Sequence, residues 1–172
     1  IVADLASQRD GLVVVAGPAA SGKTTTAAAM IDHINASHAR HIVTIEDPIE
    51  VLFADREAIV SQREVGSDTA HVADALRRIA RQDADVVLVS DLPDADAVRE
   101  ALAAAAAGRL VIAVLNTLSA TDTVNWMIDR FPPHQQGSAR SLLGRVLRGV
   151  ICQRLVDRAD GRGRVAVVES LV

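Results

Sequence analysis

The sequence predicts an α/β fold in three layers, a mostly parallel central sheet with helices on both faces. Three observations point there. Short runs rich in Val, Ile and Leu alternate with helical patterns along the chain. Some of those runs, such as "DVVLVS" (85–90), are apolar on both faces, as a central parallel strand requires. A glycine-rich stretch, "GPAASGKT" (17–24), sits where one strand hands over to a helix.

The elements follow in order. "GLVVVAG" (11–17) reads as a buried strand and "GKTTTAAAMIDHINAS" (22–37) as a helix. "HIVTIED" (41–47) is a second strand, closed by Pro48, and "AIVSQREV" (58–65) a shorter one. Residues 68–82 read as a helix with Ala73, Leu76 and Ala80 on one face and Arg77, Arg78 and Arg81 beside it. The strand 85–90 is followed by an alanine-rich helix, 94–107, capped by Asp94 and stopped by Gly108. Its small side chains suit close packing. "RLVIAVLNT" (109–117) is another buried strand, and Ser119 caps a helix to about Arg130, ended by "FPP". A helix from Pro133 to Val150 places Ala139, Leu142, Leu143, Val146, Leu147 and Val150 on one stripe. "VICQRLVD" and "RVAVVES" close the chain as two strands around a "DGRG" turn. There is no internal repeat and no linker, so residues 1–172 read as one domain. The opening "IVADLASQRD" reads as an entry in mid-protein, the expectation for a domain excised from a longer chain.

Bulk composition narrows the function. At 172 residues the chain can bury a substantial core. A net charge of −4 argues against a dedicated nucleic-acid binder, and with no Tyr, two Phe and one Trp there is little to stack bases on. The single Cys152 cannot form an internal disulfide and fits a reducing compartment. No apolar run is long enough to span a bilayer.

"GPAASGKT" matches the full G-x-x-x-x-G-K-[ST] phosphate loop. Gly17, Pro18, Ala19, Ala20, Ser21 and Gly22 would turn successive N–H groups toward phosphate oxygens, with Thr25 just beyond the loop. Lys23 would reach the β- and γ-phosphates, and Thr24 would place its hydroxyl on Mg²⁺. The helix that begins here adds its partial positive charge. A glycine turn with a surface lysine is the competing reading, and the flanking strand and helix count against it. The fold alone leaves open a motor ATPase, a small-molecule kinase, a switch GTPase or a recombinase.

Further motifs choose among these. "AAMIDHIN", "HIVTIEDPIE", "SQREVGSDT", "ALRRIARQDADVVLVSD", "AAGRLVIAVLNTLSATDT" and "RFPPHQQGSARSLLGRVLRGVICQRLV" occur in this order without an evident gap. From Gly11 to about Glu169 the chain resembles the retraction ATPases of type IV pili, the PilT-like branch of the type II/IV secretion ATPases. The resemblance implies a RecA-like domain that binds Mg-ATP between subunits of a hexameric ring. That ring would act with pilus or secretion machinery at the cytoplasmic membrane face, with no nucleic acid as partner. It implies Glu50, second glutamate of "EDPIE", as the group that activates water. It implies Arg63 and Arg81 as arginines that reach nucleotide across a subunit boundary. A solvated acid at Glu50 and surface salt bridges at the arginines are the competing readings. The family's N-terminal domain and further C-terminal helices have no counterpart in the 172 residues.

The chain also departs from the family. The Walker B Gly-Glu reads Ser90–Asp91, the following Met-Arg-Asp reads Leu92–Pro93–Asp94, and the two His-box histidines read Arg109 and Asn116. Asp91 keeps the charge for the magnesium shell with a reach shorter by roughly an ångström, and about 1 Å of misplacement can cost on the order of a hundredfold in rate. Asn116 can still donate a hydrogen bond to a phosphate but cannot carry a proton. Two outcomes fit: a slow ATPase, or an impaired, nucleotide-binding regulatory subunit of such a motor.

Overall fold

The computed structural model describes all residues, Ile1–Val172. Six strands run parallel: β1 (Gly11–Ala16), β2 (His41–Glu46), β3 (Ile59–Glu64), β4 (Val86–Val89), β5 (Leu110–Leu115) and β6 (Leu147–Asp157). β7 (Arg164–Leu171) returns antiparallel to β6 through the "DGRG" turn, where Gly161 and Gly163 have φ of 68° and 81°. The order across the sheet is β3-β2-β4-β5-β1-β6-β7.

Two layers of helix cover the sheet because its central strands β1, β4 and β5 are apolar and buried at every position. Val13, Val15, Ile42, Leu88, Ile112 and Ile151 point to the face packed by α1 (Val2–Ala6) and α2 (Lys23–Ser37). Their alternates, Val14, Ile45, Val87, Val89, Ala113 and Val150, meet the larger cluster under α3 (Val72–Ile79), α4 (Ala95–Ala106), α5 (Ala120–Asp129) and α6 (Pro133–Val146). This is the three-layer arrangement expected. In α4 the buried Ala97, Ala101, Ala104 and Ala105 carry no bulk beyond Cβ, so α3 and α6 come in close. Asp94 caps it by accepting the Ala97 N–H at 2.8 Å, and Gly108 follows its end at φ 90°.

Two expectations need correction, and one further element forms. The helix from Pro133 ends at Val146, and Leu147–Val150 belong to β6. The stripe fits a helix equally well, but this stretch pairs with Leu12–Val14, and Gly149 lies against Leu5 and the Leu171 carbonyl, where a Cβ would come within 3.1 Å of them. The helix expected at 68–82 is only Val72–Ile79. Asp68 is taken by the turn after β3, accepting the Glu64 N–H at 2.8 Å, and the Thr69 carbonyl accepts the Gly66 N–H. A short helix, α1, forms from residues that had been given no element.

Candidate functional site: a phosphate loop at the carboxyl edge

Every strand that points at the site ends on one edge of the sheet, where parallel α/β folds bind ligands. β1 leads into the loop 17–24 there. Gly17 (φ 148°) and Gly22 (φ 85°) take conformations that side chains resist, and a Cβ on Gly17 would lie 2.2 Å from the Gln153 carbonyl. Gly22 is the N-cap of α2, so the helix's first N–H groups face the loop. Lys23 is 8% exposed, and its Nζ donates to the Pro18 carbonyl at 2.7 Å. Burial lowers its pKa from the usual lysine value, and the Cys152 thiol partly offsets this. Ala19, Ala20 and Thr25 are exposed, whereas Ser21 is buried with its Oγ unpaired.

Glu50 reaches the loop by an indirect route. β2 lies three positions from β1, yet the segment after it folds back over α2, so that Val51, Phe53 and Ala28 line the same small cavities. The Thr24 hydroxyl then donates to Glu50 Oε1 at 3.5 Å, the outer limit for such a bond. Thr24, Glu46, Leu88 and Ser90 line a cavity of about 30 Å³ beneath it.

Asp91 and Asn116 follow the ends of β4 and β5, which are parallel neighbours. Both are exposed, and neither side chain has a hydrogen-bond partner within the chain. Asp91 and Thr24 offer hard oxygen donors of the kind that would suit Mg²⁺. Arg109 stands elsewhere. It precedes β5 and, seven positions before Asn116, lies about 23 Å away along the strand. There its guanidinium donates to the Ala80 carbonyl at the end of α3 at 3.2 Å, with Nε buried and unpaired.

The two remaining arginines also lie away from the loop. Arg63 sits on the edge strand β3, four strand spacings or about 19 Å from β1. It donates to Gln82 Oε1 at 2.7 Å. Arg81 is exposed beyond α3, beside Arg78 and Arg77, and Arg77 is held by Asp74 at 2.7 Å and Glu100 at 2.9 Å. Neither Arg63 nor Arg81 meets the phosphate loop of its own chain.

The family described as type II/IV secretion system protein matches residues 1–170. The chain belongs to this family. A type IV pilus retraction ATPase, PilT, of Pseudomonas aeruginosa is 44% identical over 162 residues, covering 94% of this chain and 47% of its own. A twitching motility protein of Neisseria gonorrhoeae is 42% identical over 168 residues, 98% of this chain and 45% of its own. The crystal structure of the pilus retraction motor PilT with bound ADP superposes with a TM-score of 0.96 at 47% identity, covering 99% of this chain and 50% of that one. The secretion-family chain thus has the RecA-like domain fold and spans about half the length of the curated relatives it matches. No helix is long and apolar enough to cross a membrane.

Sequence reasoning missed one residue that builds this secretion-family loop. Gln153 on β6 is 4% exposed; its Nε2 donates to the Ser21 carbonyl at 2.7 Å and its Oε1 accepts from Thr26 Oγ1 at 2.8 Å. It ties the loop and the first turn of α2 to the neighbouring strand. The one available signal was a glutamine closing the apolar run "GVIC" just ahead of Arg154.

Proposed function

We propose that this domain binds Mg-ATP at residues 17–25 and hydrolyses it as the motor domain of a type IV pilus retraction ATPase. The single observation that carries the reading is Lys23. It is buried at the mouth of a preformed loop, its ammonium spent on a loop carbonyl that a phosphate can replace. Around it Glu50 orients and deprotonates the attacking water, Thr24 and Asp91 hold Mg²⁺ partly through water, and Asn116 donates to the γ-phosphate. Mg²⁺ held there would supply positive charge against the phosphates. Arg63 and Arg81 serve the neighbouring subunit's nucleotide in a hexameric ring, a reading supported by their distance from their own loop. The ring acts with pilus or secretion machinery at the cytoplasmic face of the membrane. Binding is tested by titrating ATP against wild type and Lys23→Ala; a loss of at least about tenfold in affinity is expected, and equal affinity refutes the assignment.

A second reading has its own support. Asp91 and Asn116 carry no internal contacts that would fix them toward a phosphate, which favours a nucleotide-binding regulatory subunit with little turnover of its own. Steady-state turnover of the full-length protein separates the two.

A further inference from the structure

The proposed function uses one side chain of "SQREV", Arg63. Two others stand on the opposite face of the same strand. Gln62 and Glu64 are two residues apart on β3, level with Thr44 and Glu46 of β2, on the face toward α2. There they meet the backbone of the segment that carries Glu50. Glu64 Oε2 accepts the Ile49 N–H at 3.0 Å. Gln62 Oε1 accepts the Phe53 N–H at 2.9 Å, and its Nε2 donates to the Val51 carbonyl at 2.8 Å and to Glu46 Oε1 at 3.0 Å. Glu46, 5% exposed, also accepts from Thr44 Oγ1 at 2.7 Å, so the carboxylate that anchors Gln62 is itself anchored. Ser90 Oγ accepts the Asp47 N–H at 3.0 Å. Residues 47, 49, 51 and 53 are each tied to the sheet. Glu50 stands between two of them, and the one hydrogen bond of its own side chain is to Thr24.

We infer that Gln62, with Glu46 behind it and Glu64 beside it, is a positioning residue for Glu50. The inference rests on the reading of Glu50 as the water-activating group. These bonds go to backbone on both sides of Glu50, so they set the course of the segment and leave its carboxylate to act. A carboxylate on an exposed loop needs such support, because a shift of about 1 Å at a reacting group can cost on the order of a hundredfold.

The test uses full-length protein and Mg-ATP. Gln62→Ala is expected to lower kcat by about 10- to 100-fold while nucleotide Kd stays within about twofold. Glu64→Gln keeps an acceptor for the Ile49 N–H and retains most turnover, whereas Glu64→Ala does not. In a Glu50→Gln background, Gln62→Ala changes the residual rate by less than about twofold, because the group it positions is gone. Amide exchange without nucleotide gives an independent reading: the Phe53 amide is faster in Gln62→Ala and the α2 amides are unchanged. Faster Phe53 exchange with wild-type kcat overturns the inference. So does a full additional loss in the Glu50→Gln background or, if that background has no measurable rate, equal behaviour of Glu64→Gln and Glu64→Ala. Full turnover by Glu50→Gln alone strikes at the assignment of the base instead.

Discussion

Gly17 shows how little freedom a single residue has in this loop. Its φ of 148° disfavours a side chain, and the space a Cβ needs is filled by backbone, the Gln153 carbonyl. Backbone cannot rotate aside as a flexible side chain can, so Gly17→Ala must move the loop or β6. We expect it to destabilise the domain by about 2 kcal/mol and to weaken nucleotide binding at least tenfold. Chemical unfolding and a nucleotide titration check the two effects separately. Asp91 and Asn116 carry the other prediction at this scale. Restoring Asp91→Glu and Asn116→His together should raise kcat more than the two single changes predict, while Kd changes little. Both positions follow the ends of neighbouring parallel strands, so the restored side chains would join one network around a bound γ-phosphate, and groups in one network are non-additive. Turnover of the four variants at saturating Mg-ATP measures it. A wild type already as fast as the double variant would mean that the site is not impaired.

Between elements, the tie from β6 to the phosphate loop is the test case. Gln153→Leu keeps the volume but leaves the Ser21 carbonyl and the Thr26 hydroxyl without their partner. A buried group left unpaired costs about 1–3 kcal/mol, so the variant should lose stability on that order and loosen nucleotide binding. Denaturant midpoints without nucleotide, beside Kd, report both. This contact was not legible in advance, because its partners are 132 residues apart in sequence. Local signals carried much else: Asp94 and Ser119 cap the helices that their positions announced, and the glycines of the terminal turn behave as the turn requires. The end of α6 was lost because Leu143, Val146, Leu147 and Val150 satisfy helical spacing, and only pairing with β1 decides for strand. Arg109 illustrates the limit of motif reading. It stands seven positions before Asn116, and in an extended strand that carries the two to opposite edges of the sheet.

For the molecule as a whole, the division of labour across the sheet matters most. Phosphate loop, Glu50, Asp91 and Asn116 share the carboxyl edge, whereas Arg63 is displaced to the outermost strand. If that arginine serves a neighbouring subunit, mixing restores what neither parent has. Arg63→Ala subunits contribute an intact loop, and Lys23→Ala subunits contribute the arginine. Mixed rings of the full-length protein should therefore recover part of the wild-type turnover, on the order of a quarter or less for random assembly. Absence of recovery at every mixing ratio would remove the trans assignment. β3 would then be a strand with two audiences, a neighbouring subunit on the Arg63 face and the Glu50 segment on the other.

The bond between Lys23 and the Pro18 carbonyl has a consequence for release as well as for capture. An empty loop with a bare buried ammonium would be starved of partners and would cling to any anion. Here the ammonium already has a resident partner, so an arriving phosphate would trade places with it and a departing one would hand the lysine back. Affinity is tempered in proportion, and the resting loop keeps the shape it needs for the next nucleotide. If the domain turns over nucleotide as proposed, it must let go of its product on every cycle, and a self-satisfied lysine would then be a return spring.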